Sequence, residues 1–183
     1  MSVMKERRHR ILIAEDDPDV ADDYVRALDA DCAYLGMQRT GLAELEESLF
    51  GVGPSKSGRA YFEVTLCEQG DAAVRAHAKA LAMGSRFDLA LIDMRMPPGM
   101  NGVETAALLR AADPHIPIGI VTGYSDLRFR EIAARISPAE RLFFVRKPFV
   151  GYELRECVAN KLGILPGRSC AKDAWAPEAV LAE

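Results

Sequence analysis

No apolar run in the 183 residues approaches the roughly 18 that a membrane-crossing helix needs, and the first residues carry no hydrophobic leader segment. The expectation is a soluble, cytoplasmic chain with no membrane partner. Cysteine is scarce. Cys32, Cys67, Cys157 and Cys170 show no C-x-x-C pair, which excludes a zinc-ribbon type of centre and leads us to expect four reduced thiols. His9, His77 and His115 are isolated, without metal-ligand spacing. Basic residues cluster only at 5–10 (KERRHR), read here as a solvated lead-in. The formal charge of -4 excludes the nonspecific nucleic-acid binding that depends on neutralising many phosphates, so no nucleic-acid partner is expected. A phosphate-cradling glycine loop is missing too. GVGPSKS at 51–57 places Ser55 where the last glycine must precede Lys-Ser, and no apolar strand leads into it.

What is present suits a single α/β domain. The chain is 49% hydrophobic, enough for a real core. Short apolar runs at 11–14 (ILIA), 61–66 (YFEVTL), 89–92 (LALI), 116–121 (IPIGIV) and 142–145 (LFFV) alternate with segments of helical period at 20–28, 71–83, 103–112, 127–136 and 152–162. Four runs are nearly uninterrupted, as strands covered on both faces should be; the run at 61–66 alternates somewhat and is the expected edge strand. Residues 29–60 are too long for a simple connection. Within them Leu42, Leu45, Leu49 and Phe50 predict one amphipathic helix ended by Gly51, followed by a loop at 51–59. That helix could serve for packing or as a docking face. The stretch 164–183 has neither length nor pattern for a domain and reads as a tail.

In a parallel open sheet the ligand crevice lies outside the carboxyl ends of the strands, so what each run delivers there matters. The first ends in Glu15-Asp16-Asp17, the third in Asp93, the fourth in Thr122, and the fifth in Lys147 followed by Pro148. Clustered carboxylates repel one another unless a cation compensates, and Mg2+, which needs only a few protein oxygens, leaves room for a phosphate. Phosphoryl transfer demands positioning and charge neutralisation more than covalent chemistry. Asp93 as attacking oxygen, Lys147 and Mg2+ on the phosphoryl oxygens, and the Thr122 hydroxyl make a sufficient set. Pro97, Pro98 and Gly99 would then force the chain over the site before a helix beginning near Asn101. As a plainer reading, the acids at 15–19 could simply start a helix, with Asp17 as cap and Pro18 at the first helical position. That accounts for Asp17 and Asp19 but not for the groups at three other strand ends.

The segments RILIAEDDPDV, LALIDMRMPPGMNGVE, GIVTGYSD and FFVRKPF resemble, in the same order, the motifs of response-regulator receiver domains of two-component signalling, the chemotaxis-regulator-like fold. The resemblance covers about residues 10–163, apart from the insertion at 29–60, and is similar to a subgroup of receivers found beside histidine kinases and cyclic-di-GMP enzymes. It implies a flavodoxin-like doubly wound sheet of five parallel strands, order 2-1-3-4-5, with helices on both faces plus the inserted helix. Carried over, it makes Glu15 and Asp16 the acidic pair for Mg2+, with Asp16 the direct ligand, and adds Asp93 and the backbone carbonyl of Arg95 to the metal site. Asp93 becomes the phosphoacceptor, Thr122 the switch hydroxyl, Lys147 the phosphate-sensing cation and Phe144 the switch aromatic, expected to turn inward on activation. A cis Lys147-Pro148 bond is implied as well. Asp93 to Thr122 is 29 positions and Thr122 to Lys147 is 25, near the family's separations; Asp16 to Asp93 is 77, lengthened by the insertion. Three departures stand out: Glu at the first acidic position, a loop one residue longer between Asp93 and Gly102, and the large cationic side chain of Arg95, which could shield the phosphoryl group from water.

The implied partners are a histidine kinase or phosphotransfer protein upstream and, downstream, a protein or a second copy docking on the face formed by the fourth helix, fifth strand and fifth helix. No helix-turn-helix, GGDEF, EAL or kinase histidine box follows, so output through protein partners, or membership of a larger protein, is expected. Two other readings compete. A haloacid-dehalogenase-type phosphatase would need D-x-D on its first strand, whereas Arg95 holds the position two after Asp93. A receiver-like adaptor working without phosphorylation would not need the complete set of acids, Thr and Lys.

Overall fold

The computed structural model describes residues 8–28, 31–35, 62–123 and 129–164, with only the backbone described at 31–35 and 129–130. The helix expected at 42–50, the loop at 51–59 and the tail beyond 164 lie outside the described residues. In chain order the elements are β1 (His9–Ala14), α1 (Pro18–Leu28), β2 (Asp31–Leu35), β3 (Phe62–Cys67), α2 (Gly70–Ala82), β4 (Leu89–Asp93), α3 (Gly102–Ala112), β5 (Ile118–Thr122), α4 (Phe129–Arg135), a single 3-10 turn (Ala139–Arg141), β6 (Leu142–Arg146) and α5 (Gly151–Lys161).

All pairings are parallel and the sheet order is β2-β3-β1-β4-β5-β6. The five expected strands, β3-β1-β4-β5-β6, follow the 2-1-3-4-5 succession. The expected edge is corrected: β3 is not the edge, because β2 pairs with its outer side, Asp31 opposite Glu63 through Leu35 opposite Cys67. The DCAYL segment is short and begins on an acid, so it offers little periodic signal. An edge strand needs only a neighbour with free backbone groups, and that condition is tertiary.

Alternation along the strands sorts the core into two layers. Ile11, Ile13, Leu89, Leu91, Val121 and Phe143 cluster with Tyr24 and Leu28 of α1 and with Leu154 and Val158 of α5. Leu12, Ala14, Ala90, Ile92, Ile118 and Ile120 cluster on the other face with Ala73 and Ala80 of α2, Ala106 and Leu109 of α3, and Ile132 of α4. The helices begin where local chemistry predicts. The Asp17 carboxylate accepts the Asp19 amide at 2.9 Å just before Pro18, and Asn101 and Glu104 form a reciprocal capping box at the start of α3. Among the described residues no helix is long and apolar enough to cross a membrane. Cys67 is free and buried, whereas Cys157, expected as a thiol, is disulfide-bonded to a partner outside the described side chains. Such a pairing depends on approach in space, which cysteine spacing does not report.

Candidate functional site

Register gathers the polar strand ends. Ala14 of β1 lies opposite Ile92 of β4, so the next residues, Glu15 and Asp93, leave the sheet side by side. The Glu15 amide extends the ladder by donating to the Cys67 carbonyl at 3.0 Å. On the other flank, β4 and β5 align Asp93 with Val121, and β5 and β6 align Thr122 with Arg146. Thr122 therefore stands one residue beyond the level of Asp93, and Lys147 follows immediately, its amide donating to the Thr122 carbonyl at 2.8 Å. The Lys147-Pro148 bond is cis, as are Pro97-Pro98 and Ser137-Pro138.

The Lys147 ammonium is shared. Its Nζ lies 2.7 Å from Glu15 Oε2 and 2.8 Å from Asp93 Oδ1. The second Asp93 oxygen, Oδ2, accepts the backbone N–H of Arg95 at 2.8 Å, so both oxygens of the carboxylate are oriented. Glu15, Asp16 and Asp93 each offer a carboxylate oxygen within 4.8 Å of the others. Three acids face one ammonium, and the electrostatics register the imbalance. Burial of Glu15, only 1% exposed, pushes its carboxyl up to about 7, with Lys147 pulling down and Asp93 adding to the rise. Asp16 is also raised, by burial first and then by Asp93, against its own backbone amide. Burial opposes the charge on Lys147, but its hydrogen bonds to Asp93 and Glu15 outweigh that and hold the ammonium above the ordinary lysine range.

The chemistry of this donor set fits a hard divalent cation. Oxygen ligands alone, an excess of negative charge and a buried carboxyl with raised proton affinity are what an ion of the Mg2+ type relieves.

The loop after Asp93 accommodates its extra residue by turning back on itself. The Gly99 amide donates to the Met96 carbonyl and the Gly102 amide to the Met94 carbonyl, each at 3.1 Å. A Cβ at residue 102 would collide with the Asp93 carbonyl, so glycine there lets the start of α3 sit directly on the strand end that carries Asp93.

Of the residues singled out in the sequence, Glu15, Asp16, Asp93 and Lys147 meet in one pocket. Arg95 contributes its amide, and Thr122, buried, borders the pocket from β5. Phe144 stands three residues before Lys147 and is 3% exposed in the second core layer with Ile120 and Ile136. The ring expected to turn inward on activation is therefore already buried in this form. Asp17 caps α1 rather than joining the pocket. Sequence reasoning missed Tyr24. Its hydroxyl is fully buried near Glu15, and its phenol is held well above the usual range by burial first and by Glu15 and Asp93 next. The available signal was a hydroxyl-bearing aromatic on the inward stripe of α1.

The chain is similar to known proteins in sequence and in fold. The response regulator receiver domain profile matches residues 56–159. The response regulator protein PilR of Pseudomonas aeruginosa is 33% identical over 85 residues, which are 46% of this chain but only 18% of PilR. Among solved structures, a CheY-like receiver domain protein from Methanospirillum hungatei superposes with a TM-score of 0.56 at 22% identity, covering 86% of this chain and 95% of that one. The response regulator TrrA of Thermotoga maritima, in complex with Mg(2+)-BeF, superposes with a TM-score of 0.50 at 22% identity, covering 84% and 98%. At these identities the structures establish shared fold, and the sequence match, which spans more than half of the residues, establishes kinship: the chain belongs to the response regulator receiver domain family.

Proposed function

We propose that this chain is a phosphorylation-switched signalling module in which Asp93 accepts a phosphoryl group from a histidine kinase or a phosphotransfer protein. The observation that carries the reading is the Lys147 ammonium bridging Asp93 and Glu15 beside Asp16 at the strand ends. An Asp93 carboxylate oxygen attacks phosphorus, the N–P bond of a donor phosphohistidine breaks, and the imidazole keeps the electron pair and takes a proton from solvent. The product is an acyl phosphate. Lys147 needs only to swing from Glu15 to the new phosphoryl oxygens, because it already sits on Asp93, and Thr122 donates its hydroxyl from the neighbouring strand end. Mg2+ held by Glu15, Asp16, Asp93 and the backbone carbonyl of Arg95 would supply the remaining neutralisation of phosphoryl charge.

The output is a shift in a two-state equilibrium rather than a new fold. The buried Phe144 ring, packed in the second core layer, is the side chain whose position this shift would couple to the docking face. Docking of a downstream protein or a second copy is assigned to the face of α4, β6 and α5. The chain acts on no substrate of its own beyond its phosphoryl group, and a cytoplasmic site of action fits a kinase donor. We take residues 10–163 as the receiver, 29–60 as an insertion within it and 164–183 as a tail. In support, β1 lies before the matched segment yet pairs with β3 and β4 inside it.

Asp93→Asn should abolish labelling by acetyl phosphate and binding of beryllofluoride with Mg2+, while leaving the circular dichroism spectrum unchanged. Unchanged labelling in that variant would remove Asp93 from its role.

A further inference from the structure

The acid pair has a neighbour that the proposed phosphoryl chemistry leaves unused. Tyr24 is 0% exposed, packs from α1 into the first core layer, and its hydroxyl makes no hydrogen bond of normal geometry among the described residues. A buried phenol with no partner is unfavourable, and phenylalanine would fill the same space without that cost. The hydroxyl is not remote from chemistry. Glu15 and Asp93 both act on it electrostatically, and Glu15 is within reach of a hydrogen bond to it, although that contact is not a well-formed one. The ring is anchored on its other side by Phe149, with centroids 4.8 Å apart and planes at 37°. Phe149 follows Lys147 by two residues, so Tyr24 packs on the segment that carries the cation while its hydroxyl lies near the carboxylate that the cation holds.

Glu15 is at present compensated by Lys147 at 2.7 Å. When Lys147 turns to a phosphoryl group, Glu15 loses that donor inside a nearly water-free wall. The Tyr24 hydroxyl is the buried donor on hand to replace it.

We propose, resting on the phosphoacceptor reading above, that Tyr24 is a positioning residue for Glu15: its hydroxyl takes up a hydrogen bond to the Glu15 carboxylate when Lys147 leaves, and holds that carboxylate turned toward the cation. Glutamate at position 15 belongs to the same arrangement. Its extra methylene, relative to aspartate, gives the carboxylate a longer reach from the end of β1.

The test is Tyr24→Phe in the full chain, with Mg2+ affinity measured by calorimetry, beryllofluoride present and absent, and thermal unfolding followed in EDTA. The ring and its contact with Phe149 are retained, so the metal-free Tm should stay the same or rise, while Mg2+ affinity in the presence of beryllofluoride falls roughly tenfold, the scale on which groups that orient metal ligands act. In a Glu15→Asp background, where the carboxylate is drawn back, the same substitution should have no effect on affinity. Wild type should also show a tyrosine near-UV absorption difference on adding Mg2+ and beryllofluoride, absent in Tyr24→Phe and in Glu15→Asp. Equal Mg2+ affinity in wild type and Tyr24→Phe would overturn the proposal, as would equal losses in the two backgrounds. If Tyr24→Phe does not fold, an undiminished tyrosine difference band in Glu15→Asp overturns it instead. Failure of wild type itself to bind Mg2+ or beryllofluoride would count against the phosphoacceptor reading, a separate result.

Discussion

Glu15 concentrates the physical tension of the site in one residue. Its carboxyl is raised from 4.5 to about 7 chiefly by burial, so between those values the folded form holds a proton that the unfolded chain has released. Its contribution to stability is therefore greatest below 4.5 and is lost as the pH rises through 7. In EDTA, denaturant midpoints should fall across that window, and Glu15→Gln should remove the part of the fall that Glu15 contributes. Lys147, held above the ordinary lysine range, keeps its charge across this window, whereas Asp16, also raised by burial, adds a fall of the same sign that persists in Glu15→Gln. Mg2+ competes with the proton for the same carboxylate, so metal affinity should weaken as the pH drops below 7, the opposite trend to the stability term. A metal titration that is flat from pH 5 to 8 would contradict this account. The identities of Glu15, Asp93 and Lys147 as strand-end groups were legible in the sequence because apolar runs stop visibly at a charge. The raised proton affinities of Glu15 and Lys147 were not, because burial and pairing depend on what other segments place beside them.

At the scale of elements, the connection from β4 to α3 makes a sharper distinction than any single acid. Asn101 and Gly102 are adjacent, yet they do different things. Asn101 closes a capping box with Glu104, a local arrangement that exposed side chains can lose without disturbing the strand. Asn101→Ala should cost about 1 kcal/mol in unfolding free energy while phosphoryl labelling proceeds as in wild type. Gly102 instead gives α3 its approach to the Asp93 carbonyl, and Gly102→Ala must push helix or strand aside, at about 1–3 kcal/mol, with slower labelling because the Asp93 carboxylate moves with its backbone. If both variants label at the wild-type rate, the coupling of α3 to the acceptor is absent. The helix starts were readable beforehand, since a cap followed by Pro18 or by Glu104 is a short-range signal. The strand Asp31–Leu35 was not, because five residues with a leading acid become a strand only when β3 offers them an open edge.

For the whole molecule the sheet order has a measurable consequence. β1 and β4 are each flanked on both sides and covered by both core layers, whereas among the described residues β2 pairs with β3 alone. Hydrogen exchange followed by mass spectrometry should find β1 and β4 the slowest segments and β2 the fastest of the six strands. Slow exchange at β2 would mean that its outer edge is covered. The alternation of apolar runs and helical periods, and the order in which acids, threonine and lysine close those runs, were determined by the sequence alone, because strand length, capping and periodicity are properties of near neighbours. Only the tertiary structure decided that Lys147 pairs with a carboxylate 132 residues away, that β3 is not an edge, that Phe144 is enclosed and that a buried tyrosine hydroxyl lies near Glu15. Those outcomes depend on sheet register and on burial, and both are set jointly by segments that no local stretch of the chain contains.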